Sequence, residues 1–149
     1  QLLAAEVEMA AGKPEDALRE LNADGQKITA DVGRPELLAR TQVLLQLKRG
    51  AEMTGTLQTW VATHPKDSGA WLALSRVWNQ QNQPLRAIRA EAEAQMGHYD
   101  YAAALDRFKA GQDLARKERR DHFEASIIDT RLREVESLLK EQAADRSLN

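Results

Sequence analysis

Gly12-Lys13-Pro14-Glu15-Asp16-Ala17-Leu18-Arg19 returns further along the chain as Asn82-Gln83-Pro84-Leu85-Arg86-Ala87-Ile88-Arg89. In both copies a turn former stands two positions before a proline, and an Ala-Leu/Ile-Arg triplet follows it. Proline suits the first turn of a helix, where its missing N–H goes unused. Each copy therefore reads as a turn that opens a helix. The offset from Gly12 to Asn82 is close to twice the period of about 34 residues that marks a helix-turn-helix repeat.

Working outward from these two turns, the chain reads as eight helices in four hairpins. The first helix is expected over about residues 2–11 and the second from Pro14, with Ala17, Leu18 and Leu21 buried. Residues 22–34 hold Gly25, Gly33 and several turn formers, and form the least helical stretch. Pro35 starts the third helix, with Leu37, Thr41 and Leu44 on one face, and Lys48-Arg49-Gly50 ends it. The fourth carries Met53, Leu57 and Trp60 and stops before Pro65, because the residue before a proline resists helical angles.

Asp67 or Ser68 can cap the fifth helix. There Trp71, Leu74 and Trp78 recur at the i, i+3, i+7 spacing of a buried face. The sixth runs from Pro84 to about Met96, with a small face of Ala87, Ala90 and Ala94. The seventh, after a turn at residues 97–100, buries Tyr101, Leu105 and Phe108. The eighth starts near Asp121, with Ile128, Leu132, Val135 and Leu139 as its stripe and Arg131, Arg133, Glu134 and Glu136 on an outer, polar face. Residues 143–149 are expected to fray. Most of these helices are marginal alone in water. Stacking of hairpins, with the last helix as a cap, covers their apolar faces.

Composition agrees with an all-α fold. Hydrophobic residues make up 42% and charged residues 30%, with only 8 Gly and 4 Pro among 149 residues, a globular and helix-forming mix. A net charge of -2 gives no electrostatic case for nucleic acid or an anionic membrane. Cysteine is absent, which removes disulfides and thiolate metal sites. No apolar run reaches the roughly 18 residues of a membrane span. The chain begins at Gln1 inside an expected helix, so residues 1–149 are read as one domain, the C-terminal piece of a longer protein.

The stretch Leu57-Gln-Thr-Trp60-Val-Ala-Thr-His-Pro65-Lys-Asp67, followed by Ala70-Trp71-Leu-Ala-Leu74, resembles a boundary between tetratricopeptide repeats. Further runs are more particular: Arg86-Ala-Ile-Arg-Ala-Glu91-Ala-Glu, then Gly97, Tyr99, Ala104-Leu105-Asp-Arg-Phe108, then Glu124-Ala-Ser-Ile-Ile-Asp129-Thr-Arg131. They resemble the C-terminal repeat region of bacterial periplasmic zinc metallopeptidases of the beta-barrel assembly-enhancing protease type, over about residues 55–135. The irregular residues 22–34 and Arg40, at a position where a repeat prefers an apolar residue, depart from that pattern. The resemblance implies a right-handed alpha-alpha superhelix that is not itself an enzyme. It implies a periplasmic location, and a separate protease domain that would hold the zinc. Partners would be outer-membrane assembly machinery, its substrates, or that protease domain. The alternative is a tetratricopeptide scaffold or adaptor of another envelope or secretion complex.

No catalytic, cofactor or metal site is expected in this chain. His64, His98 and His122 do not pair at the spacing of a zinc-binding helix. Gly50-Ala-Glu-Met-Thr-Gly55-Thr56 lacks the lysine and the preceding strand of a phosphate loop. Ser75 and Ser126 lack a nucleophile elbow, so a helical enzyme is the weakest class. Arg89 and Glu93 read as an i, i+4 surface pair, worth at most about 0.2–0.5 kcal/mol. Trp60, Trp71 and Trp78 read as core rather than as a ligand-stacking cluster. Ala115-Arg-Lys-Glu-Arg-Arg120 reads as a solvated turn rather than an acidic-partner contact.

The positive candidate lies opposite the core. Leu38, Gln42, Leu45 and Gln46 share the side of the third helix away from Leu37 and Leu44; Leu72, Arg76, Asn79 and Gln80 share the side of the fifth away from Trp71 and Trp78. In a repeat stack these helices line the concave surface. Amides can then pair with a peptide backbone, Arg76 with a carboxylate, and the leucines with apolar groups. The alternative is an ordinary solvated helix surface.

Overall fold

The computed structural model describes residues 13–22 and 33–148. Among them are seven α-helices, one 3-10 turn and no strand. They are α1 (Pro14–Asn22), α2 (Arg34–Gln46), a 3-10 turn (Gly50–Met53) that runs into α3 (Thr54–Thr63), α4 (Ser68–Gln80), α5 (Pro84–Gly97), α6 (Tyr101–Glu118) and α7 (His122–Leu148). The fold is all-α. The helix expected at residues 2–11, the irregular stretch after α1 and the Leu21 side chain lie outside the described residues.

Three helices end in the same way. After α2, the Arg49 N–H donates to the Leu44 carbonyl and Lys48 to Leu45. After α4, Gln83 donates to Trp78 and Asn82 to Asn79; after α5, Asp100 donates to Gln95 and Tyr99 to Met96. These are Schellman closures, which satisfy carbonyls that the helix leaves open. Each needs one residue in the left-handed region: Lys48 and Asn82 at φ 60, Tyr99 at φ 59. Asn tolerates that region best after Gly, which explains why Asn82 stands where the first copy of the repeat has Gly12. Carboxylates open α4, α6 and α7: Asp67, Asp100 and Asp121 accept from the N–H groups of Ala70, Ala103 and Glu124.

Burial repeats with the same period as the turns. Leu37, Arg40, Thr41, Val43 and Leu44 are buried in α2, and so are Trp71, Leu74, Ser75, Val77 and Trp78, each one repeat further on, in α4. The third copy keeps Ala104, Phe108 and Gly111 in register with Ala70, Leu74 and Val77. It then lengthens, since α6 has 18 residues against 13 in α4.

From α4 onward each helix packs on its chain neighbours, with α2 also against α4 and α5 against α7. One core gathers Leu37, Leu44, Leu57, Trp71, Leu74 and Trp78 with Ala87, Ala90 and Ala94 of α5. A second gathers Leu85 and Ala92 of α5 with Phe108, Ile128, Leu132 and Val135. Gly97, at the end of α5, lies so near the chain that a Cβ there would come within 2.6 Å of the Lys66 carbonyl oxygen.

Two expectations need correction. The C-terminal residues from 143 do not fray but continue α7 to Leu148, as the run of helix-forming Leu, Lys, Glu, Gln and Ala permits. Met53, expected on the fourth helix, instead closes the 3-10 turn that runs into α3.

Asp67 ties three elements together. Besides capping α4, it accepts two hydrogen bonds from Arg34 of α2, at 2.8 and 3.1 Å, and one from the Trp60 indole of α3 at 2.8 Å. Burial alone would raise its pKa. The Arg34 and Trp60 hydrogen bonds, the Ala70 N–H and the Arg34 charge outweigh burial and hold it at about 2. A carboxylate depressed in the folded state stabilises fully above its unfolded pKa near 3.9, and that contribution is lost as pH falls toward the folded value. The stability gap between wild type and Asp67→Asn, read from urea unfolding, is expected to be about 2 kcal/mol at neutral pH. It should close between about pH 4 and pH 2. A gap that does not change with pH would contradict this role.

Candidate protein-binding surface

The two expected quartets occupy the same positions of the repeat, since Leu38, Gln42, Leu45 and Gln46 each stand one repeat before Leu72, Arg76, Asn79 and Gln80. Gln42, Gln46, Arg76 and Asn79 are exposed, and Leu72 is 37% exposed. Leu38 and Leu45 are half-buried against the first core. α2 packs on α4, so the two faces adjoin. Gln80 joins them directly: its Nε2 donates to the Leu45 carbonyl at 2.8 Å and its Oε1 accepts from the Gly50 N–H at 2.8 Å. Both ends of that amide are thus committed to backbone, which sets Gln80 apart as a clamp between hairpins. The other members of the quartets keep their outward polar atoms or methyl groups available on the surface.

Behind this face, the tryptophans sit where core packing requires. Trp78 is 1% and Trp71 6% exposed. The Trp71 indole donates to the Pro65 carbonyl at 2.8 Å. The half-buried Trp60 stacks on His64 with ring centroids 3.9 Å apart. The Arg89 guanidinium lies over both buried rings, 5.5 Å from the Trp71 centroid and 5.8 Å from that of Trp78, within the range of a cation–π contact.

Arg89 and Glu93 do not pair with one another along α5. Each turns instead to α7, Arg89 to Glu124 and Glu93 to Arg131. Arg131 reaches one Glu93 oxygen through Nε at 3.0 Å and Nη2 at 2.7 Å, and also meets Glu134. Arg131 therefore leaves the outer polar face expected for it and lies half-buried over Phe108. Burial would lower its pKa, but the two carboxylates hold it above its ordinary value. An i, i+4 pair in water is worth a few tenths of a kcal/mol. Carboxylates as buried as Glu93 and Glu124 cannot be left without a cation, so the cross-helix partners win.

The other polar groups tested in the sequence have local roles. The Gly50 N–H is used by Gln80, the Ser75 hydroxyl donates to the Leu72 carbonyl, and His64 stacks on Trp60. Arg40 is buried in α2, where desolvation lowers its pKa against the nearby Glu36 charge. Among the described residues no three His, Cys, Asp or Glu side chains converge in a way that could hold a metal ion, and no helix is long and apolar enough to cross a membrane.

No family model matches the chain, and no curated protein matches it. Five of the contacts that sequence reasoning missed share one feature. Arg34–Asp67, Gln80–Leu45, Arg86–Asp121, Arg89–Glu124 and Glu93–Arg131 all join residues 33 to 38 positions apart. Pairing polar residues one repeat apart, rather than one helical turn apart, is the signal that finds them. Glu124→Ala is expected to strand the Arg89 charge and cost about 3 kcal/mol in urea unfolding. Asp113→Ala, whose pair with Arg116 is 70% exposed on both sides, is expected to stay within about 0.5 kcal/mol. Equal effects of the two substitutions would contradict the difference in burial.

Proposed function

We propose that this chain is a protein-binding module built as a tetratricopeptide-like superhelix, and that the exposed faces of α2 and α4 form its groove. The observation that carries the reading is the shared repeat register. It holds for the buried stripe, for the left-handed turn residues Lys48 and Asn82, and for the two exposed quartets together. Trp71-x2-Leu74-Ser75-x2-Trp78 with Ala87 follows the repeat pattern W-x2-L-G-x2-Y…A, with Ser for Gly and Trp for Tyr. In the same register Asp106 and Asp113 of α6, also exposed, are the counterparts of Leu72 and Asn79.

The surface then offers apolar contact from Leu38, Leu45 and Leu72, amides from Gln42, Gln46 and Asn79, and a cation from Arg76. That set suits an extended or helical peptide segment with a carboxylate near its centre. The wider context that we propose is the C-terminal repeat domain of a periplasmic zinc metalloprotease concerned with outer-membrane protein quality control. Its support is the resemblance of residues 55–135. The zinc chemistry would belong to another domain, and this chain would dock partners or restrain the protease.

A peptide library displayed on phage and selected on the purified chain tests the groove. Selected peptides are expected to bind the Arg76→Ala/Asn79→Ala variant about tenfold more weakly, the loss of roughly two hydrogen bonds, with circular dichroism unchanged. Selection that yields no binder, or binders indifferent to the double substitution, would overturn the proposal.

A further inference from the structure

Helix α6 runs past the length that its repeat calls for, and a recess opens at the overrun. One repeat after Gln80, the last residue of α4, stands Leu114, yet α6 continues to Glu118. Ala115 and Glu118 of this extra turn, with Arg120 and Asp121 after it, line a cleft of about 420 Å³ together with residues 82–86, where α4 gives way to α5. Ligand pockets begin near about 300 Å³, so the cleft has room for a side chain from outside.

Its charges are unevenly used. Asp121 is committed twice, accepting from the Glu124 N–H at 3.0 Å and from Arg86 Nε at 3.4 Å. Arg86 gives no other hydrogen bond among the described residues, so its two Nη groups keep their donors. Arg116 is paired with Asp113. Arg120 and, next to it in the turn, Lys117 and Arg119 are exposed and have no acidic partner among the described residues. Residues 116–120, a solvated turn on sequence alone, thus carry four cations against the single acid Glu118, in a chain of net charge -2. The turn is already ordered. Arg119 closes α6 in the left-handed region at φ 49, with its N–H on the Ala115 carbonyl, and Asp121 caps α7. A partner therefore need not meet the cost of ordering it. Phe123, two residues past Asp121, is 76% exposed.

We infer that the turn between α6 and α7, with this cleft, is a docking site for an acidic segment of a protein partner. One carboxylate enters the cleft onto Arg86 and Arg120, a second meets Lys117 or Arg119, and an apolar side chain between them covers Phe123. Charge complementarity selects the acid, and a guanidinium holds a carboxylate through two parallel hydrogen bonds. The walled shape favours a side chain over the flat surface of an anionic bilayer, which the net negative chain also opposes. None of the groove residues lines the cleft. The site does not rest on the proposed groove, and the two can fail independently.

The test is fluorescence anisotropy of the whole chain with the fluorescein-labelled peptide Gly-Glu-Glu-Phe-Glu-Glu amide. The expected affinity is about 0.1 mM in about 50 mM salt, at least about fivefold weaker in about 300 mM salt. Arg120→Glu should weaken binding at least about tenfold, with circular dichroism unchanged because the side chain has no partner to lose. Arg133→Glu makes the same charge change at another exposed arginine, on α7, and should cost less than about twofold. Glu118→Gln removes the competing carboxylate and should strengthen binding about threefold. Arg76→Ala/Asn79→Ala should leave it unchanged. The inference is overturned by no binding at about 2 mM chain, well above that affinity. Equal losses from Arg120→Glu and Arg133→Glu, no gain from Glu118→Gln, or equal binding of the peptide with Gln for every Glu would each overturn it too. So would Arg120-dependent binding to phosphatidylglycerol vesicles with none to the peptide, which would assign the turn to a membrane surface instead.

Discussion

α5 must be covered on two flanks at once, and the rest of the described structure follows from that. Ala87, Ala90 and Ala94 close the core shared with α3 and α4, while Leu85 and Ala92 enter the core shared with α6 and α7. A helix of 14 residues is marginal alone in water. Its stability comes from neighbours that approach closely enough for dispersion and apolar burial to act. Small side chains make that approach possible, and the same logic explains Gly97 against Lys66 and Gly111 against Ile128 and Ile88.

Polar residues fix the spacing that the alanines permit. Asp67 joins α2, α3 and α4; Gln80 clamps α2 to the start of the next hairpin; Arg89–Glu124 and Glu93–Arg131 hold α7 across α5. These contacts recur at about one repeat, so each hairpin is oriented by the next. A surface built on such a frame is pre-organised, and a partner that binds it need not meet the cost of ordering it. That is the physical link between the stack and the proposed role in binding proteins.

Much of the architecture was legible in the residues. Pro14 and Pro84 open helices, Pro65 stands in a loop, and Trp71, Leu74 and Trp78 form a buried face, because proline geometry and helical periodicity act locally. Partner choice among charges was not legible. Arg89 and Glu93 satisfy the i, i+4 rule on paper, yet burial makes the cation opposite on α7 more valuable than the neighbour one turn away. The double use of Gln80 was hidden for a similar reason, since an exposed amide on a helix gives no sign of the carbonyl that will lie across from it. On the candidate surface, position could be read from periodicity, whereas the Gln80 clamp needed the packing of α2 on α4.

Native-state hydrogen exchange, followed amide by amide, tests the central claim that hairpins are ordered through α5. The expected result is a gradient, with the slowest exchange in α5 and the facing turns of α4 and α6, falling toward α2 and the last turns of α7. Protection in α2 or the end of α7 equal to that of α5 would contradict the account. So would an unprotected α5 between two separately protected units.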